Sequence, residues 1–325
     1  MPPTPARDTT GPAISARGLA RDFGDNHAVA GVDLTVQSGE IYGFLGPNGA
    51  GKSTTVRMLT TLLRPTAGSA TVAGFDVVTD PDKVRLRIGV ALQEAALDPK
   101  QTGRELLDLQ GRLYGLPRAE RSRRVDELLE LVDIGDAIDR RIDTYSGGMK
   151  RRLDLAAALV HQPEVLFLDE PTTGLDPTSR AAVWAEVRHL NERFGMTIFL
   201  TTQYLEEADA LAGRVGIIAH GRLVAEGTPA ELKRSIGSDV IVARVGHAQA
   251  ARVARVMEQL AQVATVEVAG DEVMMAVEHG AAAISPVAVA LAEADIHVEG
   301  LTLRTPTLDD VFLHITGGRM QEEPS

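Results

Sequence analysis

Hydrophobic positions along the chain follow two different periods, and together they predict an α/β layer fold. Short apolar runs bounded by turn residues predict strands at 32–36, 41–45, 88–92, 165–169, 198–202 and 215–219. Stretches with helical periodicity separate most of these runs, beginning with 53–63. Alternating strands and helices are typical of a mostly parallel sheet with helices packed on its faces. We therefore expect an α/β core.

A long charged stretch without strand patterns interrupts this alternation. Residues 102–139 have helical periodicity throughout, and 118–132 predict a surface helix with one apolar face. We interpret 102–160 as a helical insertion into the α/β core.

The pattern changes again after Lys233, where shorter strands and alanine-rich helices follow one another. Strands are predicted at 240–245, 264–268 and 273–277, and helices at 247–260 and 286–294. Thr307 and Asp310 have the spacing of a capping box before a last amphipathic helix. These features predict a small α+β domain.

The same patterns define the expected domain boundaries. The opening segment is rich in Pro and Thr and lacks the apolar stretch of a secretory signal. We expect a disordered lead-in at 1–13, an α/β domain at 14–238, a small regulatory or assembly domain at 239–317 and a flexible tail at 318–325.

Composition excludes several classes of protein. No run approaches the roughly 20 apolar residues of a membrane-spanning helix. The absence of cysteine excludes disulfides and thiolate metal sites, and the eight histidines lack paired metal spacing. A net charge of −12 argues against nucleic acid as a partner, because binding to phosphates depends on Lys and Arg.

A glycine-rich segment between the strand 41–45 and the following helix has the pattern of a phosphate-binding loop. The loop consists of Gly46, Pro47, Asn48, Gly49, Ala50, Gly51, Lys52 and Ser53, followed by Thr54. Glycines allow the backbone N–H groups to surround phosphates, and the helix N-terminus adds positive potential. Lys52 supplies a cation and Ser53 a hydroxyl ligand for Mg²⁺. This segment predicts binding of Mg²⁺ and a nucleotide such as ATP.

Two carboxylates, Asp169 and Glu170, follow the apolar run 165–168. The strand delivers them to the carboxyl edge of the sheet, where ligands of open α/β sheets bind. Asp169 suits the Mg²⁺ shell, and Glu170 is placed to polarise a water for attack on the γ-phosphate. The alternative is a surface Asp-Glu pair without chemistry.

A third motif narrows the class of nucleotide-binding protein. Ser146, Gly147, Gly148 and Met149 follow Tyr145 and precede three basic residues. With the two motifs above, this segment resembles the signature of the ATP-binding cassette (ABC) family. The resemblance implies a P-loop NTPase fold with a parallel core sheet, an antiparallel β subdomain and a helical insertion. It also implies ATP hydrolysis by a head-to-tail dimer, in which the signature of one copy contacts the γ-phosphate held by the other.

The same resemblance assigns roles to three further residues. Asp176 matches the D-loop that contacts the partner copy, and Gln93 matches the Q-loop glutamine that contacts Mg²⁺ or water. Phe23 lies where the family places an aromatic ring against adenine, although a core aromatic is the alternative.

One position departs from the family pattern. Gln203 stands where the family has a histidine that contacts the γ-phosphate. Glutamine donates and accepts hydrogen bonds but does not titrate. We expect a catalytic site that includes Gln203, with hydrolysis that is slower or that depends more heavily on Glu170.

Within the family, the chain is most similar to the ATP-binding subunits of daunorubicin and doxorubicin resistance exporters. The similarity rests on 201–205 with its glutamine, on the tyrosine before the signature, and on 308–313 in the small domain. It implies a bacterial antibiotic-resistance subunit at the cytoplasmic face of the membrane, bound to a separate integral membrane permease.

Other classes share the ATP site. Cassette ATPases of DNA repair carry coiled-coil or zinc-binding insertions, and cassette translation factors usually carry two phosphate loops, whereas this sequence has neither feature. A soluble ATPase or a regulatory nucleotide-binding module without transport stays open as the alternative function. A kinase or ligase would leave the signature unexplained.

Overall fold

The computed structural model describes residues 11–92, 97–132, 134–246 and 249–316. These residues divide into two compact units, the first ending at Pro229 and the second beginning at Ala230. No helix of the described ranges is both long and apolar enough to span a bilayer.

The first unit combines two sheets with helices. Its strands are β1 Pro12–Phe23, β2 Asn26–Gln37, β3 Ile41–Leu45, β4 Ala67–Val72, β5 Phe75–Asp76, β6 Ile88–Ala91, β7 Val165–Asp169, β8 Thr197–Thr202, β9 Arg214–Ala219 and β10 Arg222–Gly227. Its helices are α1 Lys52–Leu59, α2 Pro81–Arg85, α3 Gly103–Leu113, α4 Arg118–Val132, α5 Gly147–Leu159, α6 Pro177–Phe194 and α7 Leu205–Leu211, with 3₁₀ turns at Gly135–Asp139 and Ile142–Thr144.

The larger sheet has the strand order β10-β9-β3-β8-β7-β6. All its neighbouring strands are parallel except β10, which forms an antiparallel pair with β9. Every residue of β3, β7 and β8 is buried, as expected for parallel strands covered on both faces. The smaller sheet, β2-β1-β4-β5, is antiparallel. The predicted parallel core and antiparallel subdomain are thus confirmed.

Aromatic packing fixes the centre of the larger sheet. The ring of Phe199 on β8 lies 5.4 Å from that of Phe44 on β3 and 5.6 Å from that of Phe167 on β7. The rings are buried and contact one another across neighbouring strands, which are paired in parallel through their backbones. The carboxyl ends of β3, β7 and β8 therefore meet at one edge.

Two sequence predictions in this unit can be compared with the structure directly. Helix α4 has the predicted bounds, and Val125 and Leu128 on it are buried while Asp126 and Glu127 are exposed. The predicted disordered lead-in is too long, because Pro12 and Ala13 belong to β1. Ala13 is buried there, and its carbonyl accepts a hydrogen bond from Ala73 N at 2.8 Å.

The second unit has a βαββαβ order of elements. After α8 Pro229–Ile236, which begins at the boundary, it contains β11 Asp239–Val245, α9 Ala250–Met257, β12 Val263–Ala269, β13 Glu272–Val277, α10 Gly280–Glu293, β14 Val298–Arg304 and α11 Leu308–Thr316. Its antiparallel sheet has the order β12-β13-β11-β14.

Local capping defines where the helices of this unit begin. Helix α10 starts before the predicted residue 286, because Gly280 N donates to Asp239 Oδ2 at 2.8 Å and Pro286 is accommodated within the helix. The predicted capping box is confirmed: Thr307 N donates to Asp310 Oδ2 at 2.9 Å, and Asp310 N donates to Thr307 Oγ1 at 3.2 Å.

Candidate active site

The glycine-rich loop joins β3 to α1 as the sequence predicts. Gly51 has a φ of 107°, and a Cβ atom there would lie 2.5 Å from Ala28 O. Only glycine adopts this backbone conformation easily and allows so close an approach. Asn48 and Gly49 are exposed at the tip, while Lys52 at the start of α1 is buried.

Lys52 is directed back into the loop and toward a carboxylate. Its Nζ donates to Gly46 O at 2.7 Å and to Pro47 O at 3.2 Å. It also forms an ion pair with Glu170 Oε1 at 3.2 Å, in which the two side chains are 4% and 5% exposed. The two carbonyls and the carboxylate satisfy the three N–H donors of this buried ammonium group, and Glu170 is the anion with which it pairs.

Asp169 is held by two hydroxyl groups. Its Oδ1 accepts hydrogen bonds from Ser53 Oγ at 3.2 Å and from Thr201 Oγ1 at 2.5 Å. Ser53 and Asp169 supply hydroxyl and carboxylate oxygens, the donor types that Mg²⁺ prefers. The structure therefore brings together the two described residues that were predicted to hold the metal.

Glu170 forms a tight turn at the end of β7. Its φ is 50°, a left-handed conformation that is uncommon for residues other than glycine. Its N–H lies 3.0 Å from Thr201 Oγ1 and 3.1 Å from Thr201 O, and Thr173 Oγ1 donates to its Oε2 at 3.3 Å. These contacts determine the direction of the carboxylate.

Thr201 was not predicted as a site residue, although it contacts both the carboxylate of Asp169 and the backbone of Glu170. Its hydroxyl donates to Asp169 and accepts from the N–H of Glu170. The available signal was a pair of threonines at the carboxyl end of a strand with otherwise apolar residues.

Glu207 is a second residue that the sequence analysis missed. Its side chain is fully buried, and its Oε1 accepts from Thr172 Oγ1 and Trp184 Nε1, each at 2.9 Å. Burial raises the pKa of Glu207 above its ordinary value. Glu207 thus connects α7 with α6 and with the turn after Glu170. Its position on the α7 face that carries Leu211 was the available signal.

The predicted signature turn lies at the N-terminus of α5. Ser146 caps the helix, because its Oγ accepts from Met149 N at 3.2 Å. Ser146 and Gly147 are exposed, while Gly148 and Met149 are half-buried. An exposed helix N-terminus with small residues leaves backbone N–H groups accessible to an anion.

Asp176 caps α6 in a similar way. Its Oδ1 accepts from Thr178 N and Ser179 N, each at 3.0 Å, and Ser179 Oγ donates to its Oδ2 at 2.6 Å. The hydrogen bonds from Ser179 lower the pKa of Asp176. Asp176 is exposed, so it is accessible to a second copy of the chain.

Of the three remaining predicted site residues, Gln203 and Phe23 are described by the structure. Gln203 is half-buried and follows β8 directly, adjacent to the strand that carries Thr201. Phe23 ends β1 with 48% of its surface exposed, and the Arg21 guanidinium lies 4.7 Å from its ring centroid. Gln93 lies outside the described residues. The predicted adenine stacking by Phe23 stays a prediction.

Comparisons with known proteins support the fold. Residues 29–173 match the ABC transporter family, and 227–316 match the C-terminal domain of DrrA1-3-like ATP-binding proteins. A solved structure of CbiO1 from Clostridium perfringens, part of the ABC transporter complex CbiONQ, is similar with a TM-score of 0.63 and 27% identity. That similarity covers 68% of this chain and 90% of the other chain.

Two curated relatives are similar over nearly their full lengths. The daunorubicin resistance ATP-binding protein DrrA2 of Streptomyces coeruleorubidus is 48% identical, covering 96% of this chain and 97% of the relative. The daunorubicin/doxorubicin resistance ATP-binding protein DrrA of Streptomyces peucetius is 47% identical, covering 94% and 92%. The chain therefore belongs to the ATP-binding proteins of ABC transporters and is an ATPase of that class.

Proposed function

We propose that two copies of the chain bind two Mg²⁺–ATP molecules head to tail and power drug export through a separate integral membrane permease. The observation that carries this proposal is the contrast between two halves of the predicted site. Lys52, Asp169 and Glu170 are buried and Lys52 is paired with Glu170, whereas Ser146 and Gly147 are exposed at a helix N-terminus. A second copy is the partner that complements such a half-site.

Within one copy, each residue has a distinct task. Lys52 and the loop N–H groups bind the phosphates, and Ser53 and Asp169 hold Mg²⁺, which neutralises phosphate charge when bound. Glu170 polarises the attacking water. The Lys52–Glu170 ion pair supports this assignment, because an arriving γ-phosphate competes for the ammonium and leaves the carboxylate available for water.

The relatives support the choice of cargo and partner. Both are named for resistance to daunorubicin, and their similarity extends through the C-terminal domain. We infer export of an amphipathic antibiotic of that chemical type, with the chain attached to its permease at the cytoplasmic face of the membrane.

Inside-out vesicles containing the chain and the permease test this proposal. ATP should drive uptake of fluorescent doxorubicin, and Glu170→Gln should reduce both uptake and ATP hydrolysis by about 100-fold or more. Glu192→Gln, the same change on an exposed residue of α6, serves as the matched control. A wild-type rate of hydrolysis in Glu170→Gln would refute the catalytic role of Glu170. ATP hydrolysis without doxorubicin uptake by the wild-type chain and permease would refute the proposed cargo.

A further inference from the structure

Helix α5 carries an arginine on the face that packs into the core. Leu155 and Leu159 on this face are buried, and the side chain of Arg151, one turn earlier than Leu155, is only 12% exposed. Burying a guanidinium is unfavourable unless its N–H groups find partners. The partners of Arg151 therefore indicate why arginine occupies this position.

Those partners are backbone carbonyls around the hydrolytic carboxylates. Arg151 Nε donates to Pro171 O at 3.0 Å, and Nη2 lies 3.4 Å from Asp169 O. These carbonyls belong to the residues on either side of Glu170. Nη1 donates to Leu92 O at 2.7 Å, just beyond the end of β6. One side chain thus joins three segments: α5, the turn at Glu170 and the segment leaving β6.

Asp154 orients this guanidinium from the next turn of α5. Its Oδ2 lies 3.2 Å from Arg151 Nη1, and its side chain is 13% exposed. Burial raises the pKa of Asp154 to about 6 and lowers the pKa of Arg151. Burial therefore disfavours the charged form of both groups, and their contacts with each other and with the carbonyls must offset this cost. A lysine has no planar fork and cannot reach the three carbonyls with the same geometry.

We propose that Arg151 is a positioning residue that holds Glu170 in its strained turn and connects it to the signature helix of the same chain. This inference rests on the proposed function, in which Glu170 polarises water and Ser146 contacts ATP bound by the partner copy. Arg151 then provides a mechanical connection between the two ATP sites of the dimer: a displacement of α5 at one site changes the direction of Glu170 at the other.

Steady-state kinetics on the full chain test the proposal. Arg151→Met should lower kcat for ATP hydrolysis by about 10- to 100-fold, the effect of a small misplacement of a catalytic group, with ATP affinity unchanged. Arg151→Lys should restore part of the loss. Arg123→Met, on an arginine that is 59% exposed, is the matched control and should retain wild-type kinetics.

A double variant separates positioning from simple support of the fold. Arg151→Met with Asp154→Leu replaces the buried ion pair by apolar side chains, which restores stability in many proteins. We expect the double variant to melt near the wild-type temperature and still have the low kcat of the single variant. Wild-type kcat in the stable double variant, or in Arg151→Met, overturns the proposal.

The outcomes also separate this inference from the proposed function. If Glu170→Gln is inactive while Arg151→Met is normal, only the positioning role is wrong. If Glu170→Gln hydrolyses ATP normally, the proposed function fails first. If both methionine variants fail to fold, Arg151→Gln takes their place. A wild-type kcat in Arg151→Gln overturns the proposal, whereas a lowered kcat with unchanged ATP affinity supports it.

Discussion

The two units of this chain bury different kinds of side chain. In the first unit, Lys52, Asp169, Glu170 and Glu207 are all less than 8% exposed. The core of the second unit is built from aliphatic residues and methionine, and none of its described Asp, Glu, Lys or Arg residues is buried. Buried charge is unfavourable unless it is paired, so its concentration at one sheet edge indicates a function beyond folding.

The two units should therefore respond differently to mutation. The buried charged residues of the first unit lie at the candidate site, and replacing one of an ion pair leaves its partner buried without compensation. The second unit is stabilised by apolar packing and helix caps, so single polar changes there should have small effects.

The largest expected effect comes from Lys52→Ala. The substitution removes the ammonium near the phosphates and leaves Glu170 buried without its ion-pair partner, which in comparable pairs costs about 3–5 kcal/mol. We expect no measurable ATP binding at concentrations that saturate the wild type. Isothermal titration calorimetry measures this directly. Lys83→Ala, on a lysine that is 60% exposed, is the control, and wild-type affinity in Lys52→Ala would contradict the site.

A second prediction concerns acid stability of the first unit. His161 Nε2 lies 2.9 Å from Ile88 O and its ring stacks on Tyr114, and burial lowers the pKa of His161 to about 4. The unfolded chain, with a histidine pKa of about 6.5, therefore binds more protons between pH 4 and 6.5. Unfolding free energy should fall as pH decreases through this range, by about 3 kcal/mol from this group.

Asp154 has the opposite effect on the pH dependence of unfolding free energy, so variants of the two residues should show opposite pH profiles. Its pKa is raised to about 6, so its contribution to stability decreases as pH rises from about 4 to 6. We expect His161→Phe to lose stability with rising pH and Asp154→Asn to gain it. Urea unfolding followed by fluorescence of Trp184, the single tryptophan, reports on the first unit. Equal pH profiles in the two variants would contradict the prediction.

The smallest effect is expected in the second unit. Asp239→Ala removes the carboxylate that accepts from Gly280 N at the start of α10, and loss of such a cap costs about 1 kcal/mol. Hydrogen exchange should accelerate in α10, while ATP binding and the Trp184 signal stay unchanged. Asp271→Ala, on an exposed residue of the β12–β13 turn, is the control. A loss of ATP binding would show that the second unit affects the site directly.

Sequence patterns succeeded where a segment is buried on both faces. The bounds of β3 and β7 were predicted correctly, because parallel central strands form continuous apolar runs. The loop that follows β3 and the carboxylates that follow β7 could then be placed at one sheet edge. Helix α4 was equally predictable from its single apolar face.

Half-exposed elements were harder to predict. Strands β1 and β4 contain polar and small residues at alternate positions and were missed, since their stability depends on pairing with each other and with β2. Helix α10 begins earlier than its pattern indicates, because its cap comes from Asp239 on a distant strand.

Local sequence patterns were therefore enough to identify the class of this protein and its ATP chemistry. A phosphate loop, a carboxylate pair and a signature turn are local patterns whose residue types directly reflect their tasks. The contacts that hold the site in place became visible only in the folded chain. The contacts of Thr201 with Asp169 and of Arg151 with Leu92 and Pro171 join residues 20 to 59 positions apart. Such contacts depend on which strands become neighbours, and no local pattern specifies that choice.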